Sequence, residues 1–282
     1  MRQRSNLNRQ MIQTLLASIS FAGFLLFLFP GKYKKIFASV GWIFLVASVF
    51  ANFPEYFSEN NIAYPIVAFL ALPVLFITVK RCLAEDENII MLTRGASIAY
   101  LIFAPFAYIP LLGDALILLN VEMTGFLFTA LGFAYSLPEW NMFMHDIFRV
   151  EIVLGCTGIQ AIAIMTGAVF TARSNTKQKI ISVVTVVAFI MMMNLIRNVF
   201  VIISYTEQWF PFLPEIASNG QFGYESYFWA HNIISEFGLS LLTLIAVGYA
   251  IIIINPKIAV FIKNIADIYY RGLKDLSSEI RR

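Results

Sequence analysis

Three side chains able to do chemistry stand in segments otherwise built from apolar residues. Cys156 lies in Glu151-Ile-Val-Leu-Gly-Cys-Thr-Gly-Ile-Gln160, Arg197 in Met191-Met-Met-Asn-Leu-Ile-Arg-Asn-Val-Phe200, and His231 in Tyr227-Phe-Trp-Ala-His-Asn-Ile-Ile-Ser-Glu236. A thiol attacks a carbonyl as its thiolate, and a neighbouring cation favours that form. An imidazole can protonate a departing amine, and a guanidinium can hold a carbonyl or stabilise the oxyanion of a tetrahedral intermediate. Together they are an inventory for acyl transfer.

Their immediate neighbours refine this. Gly155 and Gly158 remove side chains on either side of the sulfur, so a substrate chain or another backbone can come close. Gln160 lies one turn further in and can donate a hydrogen bond. Asn194 shares a face with Arg197 and can help hold the guanidinium in the interior, while Ser235, at i+4 from His231, can orient the ring. Glu236, at i+5, points away unless the helix is distorted. Each residue also has a plainer use: a Cys between small residues packs helices, an isolated interfacial His is ordinarily inert, and a buried Arg can be half of an ion pair that fixes helix packing. Cys82, beside Lys80 and Arg81, has no reactive setting and is read as structural, and His145 is the weaker of the two histidines.

Topology is what brings the three together. Of 282 residues, 59% are hydrophobic and only 13% charged, with a mean hydropathy of +0.76; a soluble domain carries roughly a quarter charged residues. This is the composition of an integral membrane protein. Apolar runs of about the 20 residues needed to cross a bilayer lie at 11–30, 36–53, 62–79, 93–113, 115–135, 152–172, 180–204 and 232–254. The expected fold is all-α, a polytopic helical bundle of seven or eight spans, because backbone groups in lipid must be satisfied within each segment and the runs lack a barrel's alternation. Residues 1–254 read as one transmembrane domain with its catalytic half at about 132–254, and 255–282 as a cytoplasmic basic tail. There Ile258, Phe261, Ile262, Ile265, Ile268 and Tyr269 recur at helical spacing, the pattern of an amphipathic interfacial helix.

The net charge of +3 is concentrated in that tail, which holds six basic and three acidic residues. No diffuse basic surface is left for nucleic acid. Two cysteines supply neither a disulfide framework nor a Cys-rich metal site. The tail, together with Arg173, Lys177 and Lys179, places those segments in the cytoplasm by the positive-inside rule. The connection from Thr206 to Ala230 has Glu207, Glu215 and Glu225 but no Lys or Arg, and therefore faces outward. It follows that Cys156, Arg197 and His231 all lie toward the outer side. Charge alone does not orient the first helix; eight spans put both termini inside, and seven, with 115–135 re-entrant, put the N-terminus outside. The outward connection is rich in aromatic residues, and Trp209, Phe210, Tyr227 and Trp229 are expected to grip an apolar substrate segment.

At these residues the sequence resembles the archaeosortase/exosortase family of membrane enzymes. The matching elements are Cys156-Thr157-Gly-Ile-Gln160, Asn194-Leu-Ile-Arg-Asn-Val-Phe200 and Ala230-His-Asn-Ile-Ile-Ser235, in that order, within about Gly132 to Gly238. The resemblance puts the catalytic thiol on Cys156 and the two basic catalytic residues on Arg197 and His231; Thr157, Gln160, Asn194 and Ser235 are expected to support them by their positions in the sequence. The Cys-Thr-Gly form is closer to the archaeal branch than to the bacterial Cys-Ser-Gly pattern. It implies a multi-pass enzyme of an archaeal cell membrane that cleaves secreted proteins on the outer face through a thioacyl intermediate. Its substrates would carry a C-terminal signal made of a short motif, a transmembrane helix and a basic end. The acyl group would pass to an acceptor, expected to be a lipid amine, with no cofactor and no metal. His231 in place of an Arg makes the last basic group titratable and moves its expected role toward general acid.

Two other classes fit parts of the sequence. In a transporter or channel, Arg197 and His231 would line a path, yet Ile162 to Val169, Ile180 to Met193 and Leu239 to Ile254 offer few polar residues through the inner half. In a non-enzymatic scaffold, Cys156 would be no more reactive than Cys82.

Overall fold

Proline, glycine and capping residues set the limits of the helices into which the apolar runs fold. The computed structural model describes residues 2–51, 53 and 63–280. Its long elements are α1 (Arg2–Leu28), α2 (Lys34–Ala51), α3 (Ala63–Leu83), α4 (Glu87–Tyr108), α5 (Pro110–Leu131), α6 (Ile159–Val169), α7 (Thr176–Thr206), α8 (Tyr224–Ile254) and α9 (Lys257–Ile280). Positions 52 and 62 of the second and third runs, and 281–282 of the tail, lie outside the described residues. The protein is an all-α, multi-pass membrane protein. Among the described residues, six helices are long and apolar enough to cross a membrane: Met11–Leu28 of α1, α2, α4, α5, α7 and α8.

Three runs differ from expectation. The division between the fourth and fifth falls at Ile109, because Pro110, with fixed φ and no N–H, is suited to the first turn of a helix and opens α5 there. The run at 152–172 is not one span. Its first residues follow directly on strand Phe148–Glu151 and form a 3₁₀ turn, Leu154–Thr157, and only 11 residues, Ile159–Val169, are in the α-helix. At 1.5 Å per residue that is roughly 16 Å, about half the hydrocarbon core.

Contacts divide the chain into two compact units: Met1–Leu101 with Gly167–Ser174 and Pro256–Arg282, and Ile102–Thr166 with Asn175–Asn255. In the first, α1 and α2 cross closely. A Cβ on Gly23 would stand 2.7 Å from the Gly41 backbone nitrogen, so the backbones touch, and Ser20 donates to Gly41 O across the crossing at 2.9 Å. Cys82 is buried with Phe27, Ala38 and Ile89, and Ile265, Ile268 and Tyr269 of α9 pack against this cluster. The expected tail helix does form. Most of its apolar stripe is covered by the protein itself, with Ile258 and Phe261 buried and Tyr269 sharing a hydrogen bond with Thr78 at 2.7 Å, while Ile262 stays exposed.

In the second unit a feature absent from the sequence reading fills the connection after α5. Strands β1 (Ser136–Glu139), β2 (Met142–His145) and β3 (Phe148–Glu151) form an antiparallel meander in the order 1-2-3. Phe143 and Val150, opposite each other in the β2–β3 register, turn inward onto Ile117, Val121 and Phe128 of α5 and Val199 and Ile202 of α7. His145 fastens this meander. Its Nδ1 lies 2.6 Å from Ala134 O and its Nε2 3.2 Å from Glu207 just after α7. The meander ends where the Cys156 turn begins.

A capping box starts α7: Asn175 accepts from the Gln178 N–H at 2.8 Å, and Gln178 Oε1 accepts from the Asn175 N–H at 3.2 Å. The 31-residue helix that follows is the spine on which the site is assembled. The last of the candidate membrane spans, α8, is π-helical over Phe228–Ser240 before it reverts to α. Such wide turns are rare and often sit at functional positions.

Candidate active site

Cys156 sits in the 3₁₀ turn Leu154–Thr157, stopped by Gly158 at φ 75°. An L side chain there costs about 1–2 kcal/mol. Its Cβ would also press on Asn194 at 3.2 to 3.3 Å, so glycine lets the turn lie flat against α7. Thr157 is buried and shapes the turn, its hydroxyl donating to Leu154 O at 2.7 Å and accepting from the Ile159 N–H at 3.4 Å. The turn is tied to α7 by two amides: Asn194 Nδ2 and Asn198 Nδ2 donate to the Cys156 carbonyl at 2.7 and 2.9 Å. Counting back from Thr206, these residues lie roughly 12–18 Å along the helix from its C-terminal end.

Arg197 stands between the two asparagines in sequence and reaches across to α8, where its Nη2 lies 3.2 Å from His231 Nε2. A guanidinium only donates, so Nε2 must accept, and the ring proton is then on Nδ1, which donates to Asn232 Oδ1 at 2.8 Å. Tyr227 stacks on the imidazole face at 4.9 Å between centroids and an 11° interplanar angle, fixing the ring plane. Arg197 Nε is buried and makes no hydrogen bond. The guanidinium therefore keeps donor capacity for a further acceptor.

Cys156, Arg197, His231 and Tyr227 line one cavity of about 20 Å³, enough for a single water molecule. Glu151, Asn198 and an apolar wall including Val150, Ile152, Val201 and Ile202 complete it. Glu151 is steered by Asn141, whose Nδ2 donates to it at 3.0 Å. Thiol, guanidinium, imidazole and carboxylate thus share a small space with one apolar side, which strengthens electrostatic contacts within it.

With this geometry in place, comparison with known proteins is informative. The family described as Transmembrane exosortase (Exosortase_EpsH) matches residues 19–214. The chain belongs to this family. The match covers Cys156 and Arg197 but ends before His231. Among related proteins, Archaeosortase A of Natronomonas pharaonis is 22% identical over 191 residues, 64% of this chain and 61% of that protein. Archaeosortase A of Haloferax volcanii is 26% identical over 219 residues, 69% of this chain and 71% of that protein. The chain thus spans about three fifths of the length of the first and about seven tenths of the second. No solved structure matches.

In this exosortase-family chain the structure brings Cys156, Arg197 and His231 to one cavity and redistributes the residues expected to support them. Asn194 does not hold the guanidinium; its amide goes to the Cys156 carbonyl and, at 3.3 Å, to Asn120 Oδ1. Ser235 does not orient His231. The π-helix closes on i+5, so the i+4 alignment of an α-helix is lost, and the buried Ser235 hydroxyl makes no hydrogen bond while Asn232 takes the ring proton. Gln160 is exposed at the start of α6 and is not part of the cavity wall. Of the four aromatics expected to grip substrate, only Tyr227 lines the cavity. Trp229 donates to Phe212 O at 2.8 Å, the Phe210 N–H donates to Ser226 at 2.8 Å, and Trp209 packs edge-on to Phe200, so these three brace the loop between α7 and α8.

The residues missed were Asn120, Asn198, Asn232, Asn141 and Glu151. Asn198 carried a signal, since it repeats Asn194 one helical turn on within Asn-Leu-Ile-Arg-Asn. The others carried none, because the role of Asn120 depends on how α5 meets α7 and those of Asn232, Asn141 and Glu151 on the meander and the π-helix.

Proposed function

We propose that the chain is a membrane-embedded thiol transpeptidase that cleaves a sorting signal from secreted proteins. The observation that carries this reading is the Arg197–His231 hydrogen bond at 3.2 Å in the wall of the cavity that also holds Cys156. The Cys156 sulfur attacks the carbonyl carbon of the scissile amide. As the carbonyl oxygen takes negative charge, Arg197 turns its donors to it, and that exchange frees the Nε2 lone pair. Nε2 accepts the thiol proton and returns it to the departing amine as the C–N bond breaks, leaving a thioester on Cys156. His231 acts as base first and as acid second, which fits the neutral tautomer that its partners require. An incoming amine then attacks the thioester, its proton leaves by the same imidazole, and the sulfur is released; with water in its place, the outcome is hydrolysis.

The substrate reading follows the family: a secreted protein anchored by a C-terminal signal of short motif, transmembrane helix and basic end, with a membrane lipid amine as acceptor. The positively charged segments around Arg173 and after Asn255, against an outer loop with no Lys or Arg, support a site that faces the extracytoplasmic side of a cell membrane. Its position partway down α7 requires the substrate to enter sideways from the bilayer. Tyr227 is the aromatic placed to meet it, and Trp209, Phe210 and Trp229 support the loop above.

Interception of the thioester tests the proposal. Excess hydroxylamine added during processing should appear as a hydroxamate on the new C-terminus of the cleaved protein, read by mass spectrometry. Cleavage that proceeds with only a free carboxylate at every hydroxylamine concentration would argue against a covalent thioacyl step.

A further inference from the structure

Two amides converge on one carbonyl at the nucleophile. Asn194 and Asn198 reach Cys156 O at 2.7 and 2.9 Å, and both side chains are more than nine-tenths buried, at 8% and 5% exposure. A carbonyl oxygen offers two lone pairs, so these donors saturate it. Their spacing is what gives the arrangement its consequence. Asn194, Arg197 and Asn198 stand at i, i+3 and i+4 on one face of α7. A single turn of helix therefore holds the backbone of Cys156 and presents the guanidinium beside it. The clamp is itself fixed from a second helix: Asn194 Nδ2 also donates to Asn120 Oδ1 at 3.3 Å, and the Asn120 amide is anchored to Leu116 O at 2.9 Å. On the other side, Gly158 lets the turn lie directly on Asn194. An apolar residue at either position would fill the space but would not fix where the carbonyl lies along the helix; a directional hydrogen bond does.

We propose that Asn194 and Asn198 are positioning residues that set the place of the Cys156 sulfur relative to Arg197. This rests on reading Cys156 as the nucleophile, but its test needs no substrate. Iodoacetamide labelling of Cys156 in the full-length protein is followed by peptide mass in four forms: wild type, Asn198→Leu, Arg197→Met and the double variant, with Asn194→Leu run in the same way. Leucine keeps the number and branching of the side-chain heavy atoms and removes the donor. Either leucine variant should slow labelling about tenfold, the size expected for one lost hydrogen bond at a reacting group. In the Arg197→Met background the same substitution should have little further effect, because what the clamp fixes is the sulfur's place beside the cation. Equal slowing in both backgrounds, or unchanged or faster labelling with only a lower thermal midpoint, would assign the amides to fold stability alone and overturn the proposal. If the leucine variants fail to accumulate, Asn198→Ala and Asn198→Ser serve instead. The alanine form should label slowly and the serine form, which keeps a shorter donor, should recover part of the rate; no difference between them would also overturn it. Labelling coupled to Arg197 in a protein that cleaves nothing would leave the clamp standing and remove the function, whereas cleavage without that coupling would do the reverse.

Discussion

His231 accepts a hydrogen bond from Arg197 through Nε2 at 3.2 Å and gives its own proton from Nδ1 to Asn232 at 2.8 Å. Both ring nitrogens are thereby committed, and the ring is neutral. A second proton on this ring would have to sit on Nε2, directly facing the guanidinium N–H.

A sign for the pH dependence follows. Protonated His231 neither accepts from Arg197 nor takes the thiol proton, so processing should fall as the pH is lowered through the range in which an imidazole charges. The other titratable groups at the cavity are Cys156, Tyr227 and Glu151, with Glu236 further along α8. A pH–rate profile of kcat/KM checks this. Activity that rises toward acid pH would mean that the imidazolium, acting as acid alone, is the working form.

Replacing the neutral His231 with Arg introduces a permanent positive charge, removes the lone pair and sets two guanidinium groups against each other. His231→Arg should still bind substrate and process it slowly at every pH from 6 to 8, roughly 100-fold or more below wild type, the usual weight of a general acid–base. His231→Gln, whose Oε1 can accept from Arg197, should retain more of the Arg197 orientation but no pH limb. Near-normal turnover by His231→Arg would mean that charge is all the position supplies.

For Arg197 the expectation is geometric. Lysine keeps the charge but not the planar fork, and so cannot engage His231 and a developing oxyanion together. Arg197→Lys should lower kcat by about 100-fold or more with a smaller change in KM, as for the loss of an oxyanion donor. A rise in KM with kcat unchanged, measured by steady-state processing, would place Arg197 in ground-state binding.

Gly158 tests the seating of the turn. Gly158→Ala must hold a left-handed φ of 75° and press a methyl on Asn194, so it should cost about 1–2 kcal/mol of stability and slow Cys156 labelling as well. A thermal melt with labelling rates checks both; an unchanged melt would mean that the turn relaxes off α7.

The sequence was legible where hydropathy or chemistry stands out against a uniform background. A charge in an apolar run, a thiol between glycines and an imidazole after an acidic aromatic loop are visible without coordinates, and these three do share a cavity. What could not be read were contacts made by a conformation rather than by composition. The meander at 136–151 offers three four-residue strands, too short for an alternating pattern to emerge, and it is what places Glu151 and Asn141 beside the cavity. The π-helix changes the period on which the Ser235 assignment depended, so Asn232 took its place. The run at 152–172 has the hydropathy of a span, yet Gly155 and Gly158 give its first third to the turn that carries the sulfur. The tail's stripe was correctly seen as helical, but a period of 3.6 does not say whether protein or lipid covers it.

The chemistry assigned to the sulfur can be tested with wild type and Cys156→Ala in membranes, incubated with secreted proteins that carry a C-terminal transmembrane signal, with their masses read over time. The account predicts that wild type shortens them, that Cys156→Ala leaves them intact while holding some in a stable complex, and that its helical content is unchanged. Shortening at the wild-type rate by Cys156→Ala would contradict it.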